Sequence, residues 1–195
     1  MKFFKKNSYE IVRLFVIQIG ITIFSLLVSP AARTVCVSNK LGATTSAYVQ
    51  LAIGIFSTAF HLFIVYATMW EVGAKRREAI ESGRMPSDTR EGLKIALYSQ
   101  AVNFFLWLLM AVGLLRLATG NSFLIGMYGV ARLIFGLINS MHLGLINFFV
   151  TDINYVATTL LSLVFLLPQI VVASLAYAFG TKGWRITKAT PPSRE

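Results

Sequence analysis

Long apolar runs separated by short polar connections dominate this chain. A helix needs about 20 apolar residues, at 1.5 Å per residue, to cross a hydrocarbon core about 30 Å thick. Four runs are long enough, at residues 11–29, 47–70, 95–118 and 156–179. Each is predicted to be helical, because isolated strands leave backbone groups unpaired in lipid. The pattern predicts an all-α integral membrane protein, a four-helix transmembrane bundle forming a single membrane domain.

Composition supports this class. Hydrophobic residues make up 56% of the 195 residues and charged residues 13%, with a mean hydropathy of +0.68. Soluble domains carry roughly 25% charged residues. A soluble fold of this size could not bury so much apolar surface, whereas a bilayer is itself apolar.

The first apolar run has two interpretations. It follows Lys2, Lys5 and Lys6, as a secretory signal would, and it ends at Ser29-Pro30-Ala31, which resembles a small-residue cleavage site. Its apolar stretch is about 18 residues long, against roughly 7–15 for a signal core. We therefore expect a retained span that stops at Pro30, and a cleaved signal is the alternative.

The basic residues predict an orientation. The chain has 18 Lys and Arg and a net charge of +10. Lys and Arg are enriched in cytoplasmic loops. If the N-terminus is inside, all of them except Arg33, Lys40, Arg116 and Arg132 fall on the cytoplasmic side. We expect a multi-pass protein of the cell membrane, most simply a plasma membrane, with both termini cytoplasmic. The same placement favours anionic lipid headgroups over nucleic acid as partners.

A further apolar segment, residues 119–155, decides the number of crossings. A fifth crossing would put the basic tail outside, so we expect a re-entrant or interfacial apolar helix between spans three and four, or one packed against the bundle; a plain fifth span is the alternative. Asn139-Ser140-Met141-His142 is a polar patch where a re-entrant turn fits. Gly136, Ser140 and Gly144 recur every four residues, and small residues at this spacing are candidates for close helix packing.

Residues 71–94 form a hydrophilic connection, predicted to be a cytoplasmic helical hairpin loop with a helix C-cap at Gly83. Lys75, Arg76 and Arg77 within it are a candidate contact for anionic lipid or a soluble partner. The simpler interpretation is a solvated connector that anchors the topology, because the bias of cations toward the inside already explains them.

Polar side chains within the spans are the candidates for function, because ionisable and polar groups are costly in lipid. We predict that they form one intramembrane polar seam. Its members are Gln18, Ser57, His61, Gln100, Asn103, Pro168 and Gln169. The seam would either join helices, at around 0.6 kcal/mol per contact, or line a solute path beside a helix kinked at Pro168.

A candidate ion pair joins Arg132 to Asp152, because a lone arginine in an apolar stretch seeks a carboxylate or the headgroups. Arg116 is an alternative partner for the same carboxylate. Either pair would connect the 119–155 segment to the bundle.

Motifs of known chemistry are missing from the sequence. There is no HExxH helix, no GxxxxGK[ST] phosphate loop and no GxSxG nucleophile turn. The single cysteine, Cys36, excludes an intrachain disulfide. We expect no metal and no cofactor. The expected role is a non-enzymatic accessory or structural subunit that acts through helix association, with a membrane-protein partner or a second copy. The alternative is a small solute or ion transporter.

Overall fold

The computed structural model describes residues 2–84, 88, 90–150 and 154–184. Within these ranges the chain is helical and contains no strand. Its α-helices are α1 (Lys2–Ser38), α2 (Ala43–Glu81), α3 (Glu91–Ser99), α4 (Ala101–Gly113), α5 (Arg116–Thr119), α6 (Ser122–Ile138), α7 (Leu143–Phe149) and α8 (Tyr155–Lys182). A 3₁₀ turn, Ser140–His142, joins α6 to α7.

Four of the described helices are long and apolar enough to cross a membrane. They are Phe3–Ser38, Ala43–Glu81, Ala101–Thr119 and Tyr155–Lys182. Helices α1 and α2 have 37 and 39 residues. At about 1.5 Å per residue each is more than about 50 Å long, which exceeds the thickness of a hydrocarbon core. The expected all-helical class with four membrane-compatible helices is therefore confirmed.

The sequence predicted that the first span stops at Pro30. Helix α1 instead continues to Ser38. A proline within a helix removes one backbone donor and crowds the carbonyl four residues earlier, yet α1 continues through Pro30, which is exposed. The Thr34 hydroxyl donates to the Pro30 carbonyl at 3.0 Å in the following turn. The prediction that this proline ends the helix was wrong.

The third span is not the single regular helix that the run 95–118 predicted. It is interrupted at Gln100, with φ −93° and ψ 2°, and again at 114–115, before α5. The first interruption lies where the Gln100 side chain enters a buried polar network, described below. The second leads to Gly120, whose φ of 63° ends α5 in the left-handed conformation that glycine adopts readily.

Helices α6 and α7 meet at an angle of 86° across the break at Asn139. Gly136 on α6, Ser140 in the turn and Gly144 on α7 therefore do not lie along one helical face. A Cβ on Gly136 would meet only a Leu143 methyl at 3.8 Å, whereas a Cβ on Gly144 would collide with the Gln50 carbonyl of α2. Close packing of the kind expected for these small residues occurs at Gly144.

Helix α2 packs along α8 so closely that two glycines are required. A Cβ on Gly73 would collide with the Tyr177 carbonyl, and a Cβ on Gly180 would collide with the Trp70 carbonyl. Small residues allow such an approach of two backbones. The contact places Gln169 of α8 beside α2 and so builds part of the candidate site.

Basic residues occur at both ends of the bundle, and only one end contains the ion pairs of Glu91 among the described residues. We call the end that holds Lys6, Arg76 and Glu91 the basic end. The opposite end holds the C-terminus of α1 and the N-terminus of α2, where Gln50 Nε2 donates to the Ser29 carbonyl at 2.9 Å. Neighbouring α1 and α2 are thus antiparallel.

Candidate functional site

Four buried amide side chains form a hydrogen-bonded network, the amide ring, made of Gln18 from α1, Gln100 and Asn103 from the third span, and Asn139 from the break after α6. Gln18 Nε2 donates to Asn139 Oδ1 at 2.8 Å, and Asn139 Nδ2 donates to Asn103 Oδ1 at 2.9 Å. Gln18 Oε1 accepts from both Gln100 and Asn103 at 3.1 Å. Asn103 also donates to Gln100 Oε1 at 2.6 Å.

Every side-chain oxygen and nitrogen of the amide ring has a partner. Asn139 Nδ2 makes one further bond, to the Phe135 carbonyl at 3.1 Å. All four residues are buried, with at most 1% of their surface exposed. Because a buried polar group without a partner costs free energy, a ring in which every side-chain oxygen and nitrogen has a partner stabilises the contact between its elements.

Two hydroxyl residues of α1 hold the turn that follows Asn139. The Thr22 hydroxyl donates to the Ile138 carbonyl, and the Ser25 hydroxyl donates to the Ser140 carbonyl at 3.3 Å. In return the Ser140 hydroxyl donates to the Thr22 carbonyl at 2.9 Å. A broken helix exposes carbonyls that lipid cannot satisfy, and these side chains supply the missing partners.

A second buried group, the histidine cluster, consists of Ser57 and His61 on α2 with Gln169 on α8. His61 Nε2 lies 3.0 Å from Gln169 Oε1. With the amide oriented this way its oxygen can only accept, so His61 carries its proton on Nε2 and its Nδ1 is an acceptor. His61 Nδ1, Ser57 Oγ and Gln169 Nε2 are buried without a hydrogen-bond partner in the described residues.

The turn also brings His142 to α2, a contact that sequence spacing did not predict. His142 Nδ1 lies 3.0 Å from the Thr58 hydroxyl, and the imidazole stacks on Phe165 at 5.3 Å between ring centroids. The polar patch at 139–142 was the signal that this turn enters the interior.

The predicted seam thus divides into two groups. Gln18, Gln100 and Asn103 belong to the amide ring, which also recruits Asn139. Ser57, His61 and Gln169 form the histidine cluster. The remaining member, Pro168, is half-buried within α8, which is assigned as one continuous helix through that position. Its side chain adds no polar group to either.

At the basic end, Glu91 is the centre of a polar cluster that the sequence did not reveal. It pairs with Arg76 of α2 and with Lys6 of α1, the latter at 3.1 Å, and accepts from the Tyr177 hydroxyl of α8 at 2.9 Å. Burial alone would raise the pKa of Glu91, but hydrogen bonds from Arg76 and Tyr177 outweigh it and hold the pKa below its usual value.

Each of the cations proposed as a lipid or partner contact has a partner within the chain. Lys75 Nζ pairs with Glu71 at 2.7 Å, and Arg77 Nε pairs with Glu81 at 2.6 Å. Arg76 turns inward to Glu91. These contacts favour the interpretation of the three as part of a structural connector.

The predicted pair of Arg132 with Asp152 lies outside the described residues, because Asp152 is among the undescribed positions. Arg132 itself is exposed on α6. Arg116 lies over two aromatic rings, 4.6 Å from the centroid of Tyr128 and 3.9 Å from that of Tyr155. A cation over aromatic faces is attracted by their quadrupoles, so Arg116 has an interaction that needs no carboxylate.

Among the described residues, no group of three or more His, Cys, Asp or Glu side chains is arranged to hold a metal ion. No family model, curated protein or solved structure matches the chain.

Proposed function

We propose that the chain is a multi-pass protein of a cell membrane, most simply a plasma membrane, with both termini cytoplasmic, which serves as a non-enzymatic structural or accessory subunit. Four membrane-compatible helices support the bilayer placement. The asymmetry of Lys and Arg supports the orientation.

The path of α6 and α7 supports an even number of crossings. Near the start of α6, Tyr128 packs on Tyr155, the first residue of α8. Near the end of α7, Phe148 packs on Tyr48, close to the start of α2. Both ends of the bent pair therefore lie at the opposite end of the bundle, while its Asn139 corner reaches the amide ring. We propose that this pair is re-entrant and does not cross.

Labelling of single cysteines tests this topology. In a Cys36→Ala background, a cysteine is introduced at Ser87, Asn121 or Ser193, and intact cells are treated with a membrane-impermeant maleimide. We expect labelling at Asn121 and protection at Ser87 and Ser193. Labelling at Ser193 in sealed cells would overturn the even number of crossings. Permeabilised cells provide the control for thiol reactivity.

The amide ring carries the proposal of a structural role. Each side-chain oxygen and nitrogen of the ring bonds to another member, which is how polar residues join helices in a membrane. Mild cross-linking in native membranes, followed by purification, tests the accessory role. We expect a cross-linked partner or a second copy. A protein that is monomeric in detergent and cross-links to nothing would contradict it.

A transporter is the second candidate, and the histidine cluster favours it. Three buried polar atoms without partners form a set of donors and acceptors, such as a small polar solute or ion would bind. Flux into liposomes, tested with a panel of small solutes and ions, should then fall in His61→Ala and Gln169→Ala, but not in Ser174→Ala, whose hydroxyl bonds only within α8. Unchanged flux in both cluster variants would remove this candidate.

A further inference from the structure

A continuous groove runs along α1 at the opposite end of the bundle. It consists of three adjoining clefts of about 330, 320 and 420 Å³. The first shares Leu26 and Leu143 with the second, and Arg33 and Gln50 with the third. We call this feature the arginine groove, after Arg33 and Arg132, which line it.

The two parts of the groove differ in polarity. Around Arg33 the walls carry hydroxyl and amide side chains from α1, α2 and α7. They are Ser29, Thr34, Ser46, Gln50 and Asn147. Around Arg132 the walls are apolar, with Leu26 from α1, Leu133 and Leu137 from α6, and Leu143 from α7. Such a division fits a ligand with a polar head and a hydrocarbon chain.

The groove is positively charged. Among the residues that the structure describes, its lining includes two arginines and no Asp or Glu. Neither Arg33 nor Arg132 forms an ion pair with a described carboxylate, in contrast to Lys75, Arg76 and Arg77 at the basic end. Arginine is the side chain best suited to a phosphate group, because its planar fork matches two oxygens at once.

We propose that the arginine groove is a binding site for one anionic phospholipid. Its phosphate lies against Arg33 and Arg132, its headgroup meets the amides and hydroxyls beside Arg33, and an acyl chain lies along the leucines of α1, α6 and α7. This inference rests on the membrane placement proposed above, since only a protein in a bilayer meets such a ligand.

Two glycines of α6 line the groove without a side chain that would occupy it. Gly129 and Gly136 line the part around Arg132. A Cβ on Gly129 would meet nothing within 4 Å, and one on Gly136 would meet only a Leu143 methyl at 3.8 Å. Gly126, on the same helix, is equally open but is absent from the lining. A larger side chain at Gly129 or Gly136 would therefore occupy the groove, whereas one at Gly126 would leave it open. An added Cβ at any of the three would not clash with the bundle.

Native mass spectrometry of the purified full-length protein tests the site. The protein is titrated in detergent with phosphatidylglycerol or with phosphatidylcholine of the same acyl chains. We expect one molecule of phosphatidylglycerol to bind in preference. Each of Arg33→Gln and Arg132→Gln should weaken its binding by about fivefold, from the roughly 1 kcal/mol that a basic residue contributes near anionic lipid. Equal binding of the two lipids, or no loss in the double variant, would overturn the proposal.

Variants of α6 test the apolar part. Gly136→Leu should reduce binding of both lipids, while Gly126→Leu should leave lipid binding unchanged. An equal loss of binding in the two variants would overturn the assignment of the lipid to this groove. Glycerol 3-phosphate should not displace the lipid, and full displacement would indicate a site for free phosphate instead. The lipid-binding measurements do not depend on how the protein is oriented in the membrane, whereas maleimide labelling reports only the topology. Failure of the lipid site can therefore be distinguished from failure of the proposed topology.

Discussion

Glu91 accepts a hydrogen bond from the Tyr177 hydroxyl at 2.9 Å while it pairs with Arg76, so one carboxylate joins three helices. Lys6 adds α1 to the same cluster. The close approach of Gly92 to Tyr177, where an added Cβ would lie 2.7 Å from Cγ, brings α3 near enough to α8 for this contact. A single acidic side chain of α3 therefore connects α1, α2 and α8 at the basic end of the bundle.

Glu91→Gln should destabilise the folded protein. Arg76 is only 12% exposed, and the loss of its buried partner leaves a poorly compensated charge, at a cost of about 3 kcal/mol. Thermal unfolding in detergent, followed by circular dichroism, measures the effect. Glu78→Gln is the matched control, because Glu78 is exposed on α2. Equal melting temperatures for the two variants would show that the Glu91 cluster does not contribute.

The stability of the protein should also depend on pH through Glu91. Its pKa in the folded state lies below that of the unfolded chain, about 4.3 for a glutamate. The folded state thus holds the proton less tightly, and the stabilisation is complete above the unfolded pKa and is lost as the pH falls through the folded value. Melting temperatures measured from pH 7 down to pH 3 should fall less steeply in Glu91→Gln than in the unchanged protein. Parallel curves would contradict this origin.

Membrane-compatible helices and part of the amide ring were predictable because they depend on local patterns. Gln18, Gln100 and Asn103 stand out as polar residues inside apolar runs, and such residues tend to face other helices. Their companion Asn139 was recognisable only as part of a polar patch. Its contact with Gln18 spans 121 positions, so no periodicity along the chain predicts it.

The role of Glu91 was hidden for a different reason. An acidic residue in the first turn of a helix has a sufficient local explanation in the partial positive charge there. Its inward contacts with Arg76 and Tyr177 depend on how α2 and α8 approach, which Gly73 and Gly180 permit. Pro30 was misleading in the opposite direction, because it suggested a helix end where α1 continues to Ser38.

Glycine substitutions should separate tight packing from helix propensity. Gly73→Ala and Gly180→Ala place a methyl group against a neighbouring backbone, and backbone cannot move aside cheaply, so each should lower the melting temperature in detergent by several degrees. Gly20→Ala on α1 is the control. Its Cβ would meet nothing within 4 Å, and alanine is the better helix former by roughly 0.5–1 kcal/mol, so this variant should be as stable or slightly more stable. A loss of stability in Gly20→Ala as large as in Gly73→Ala would contradict the assignment of close packing.

A double-mutant cycle on Gln18 and Asn139 measures whether the amide ring joins α1 to the corner between α6 and α7. Gln18→Leu or Asn139→Leu alone leaves buried partners without hydrogen bonds, at about 1–3 kcal/mol each. The double variant should cost less than the sum, because the two residues bond directly at 2.8 Å. Coupling energies in membrane proteins are about 0.6 kcal/mol and reach roughly 1.7.

Gln18→Leu with Ser174→Ala is the matched cycle, since the Ser174 hydroxyl bonds to Ile170 within α8 and shares no partner with the ring. Its two effects should add within about 0.5 kcal/mol, as expected for distant sites. Reversible unfolding in mixed detergent micelles gives the four free energies of each cycle. Additive effects in the Gln18 and Asn139 cycle would mean that the ring does not hold the corner in place, and the argument for a structural role of these amides would lose its basis.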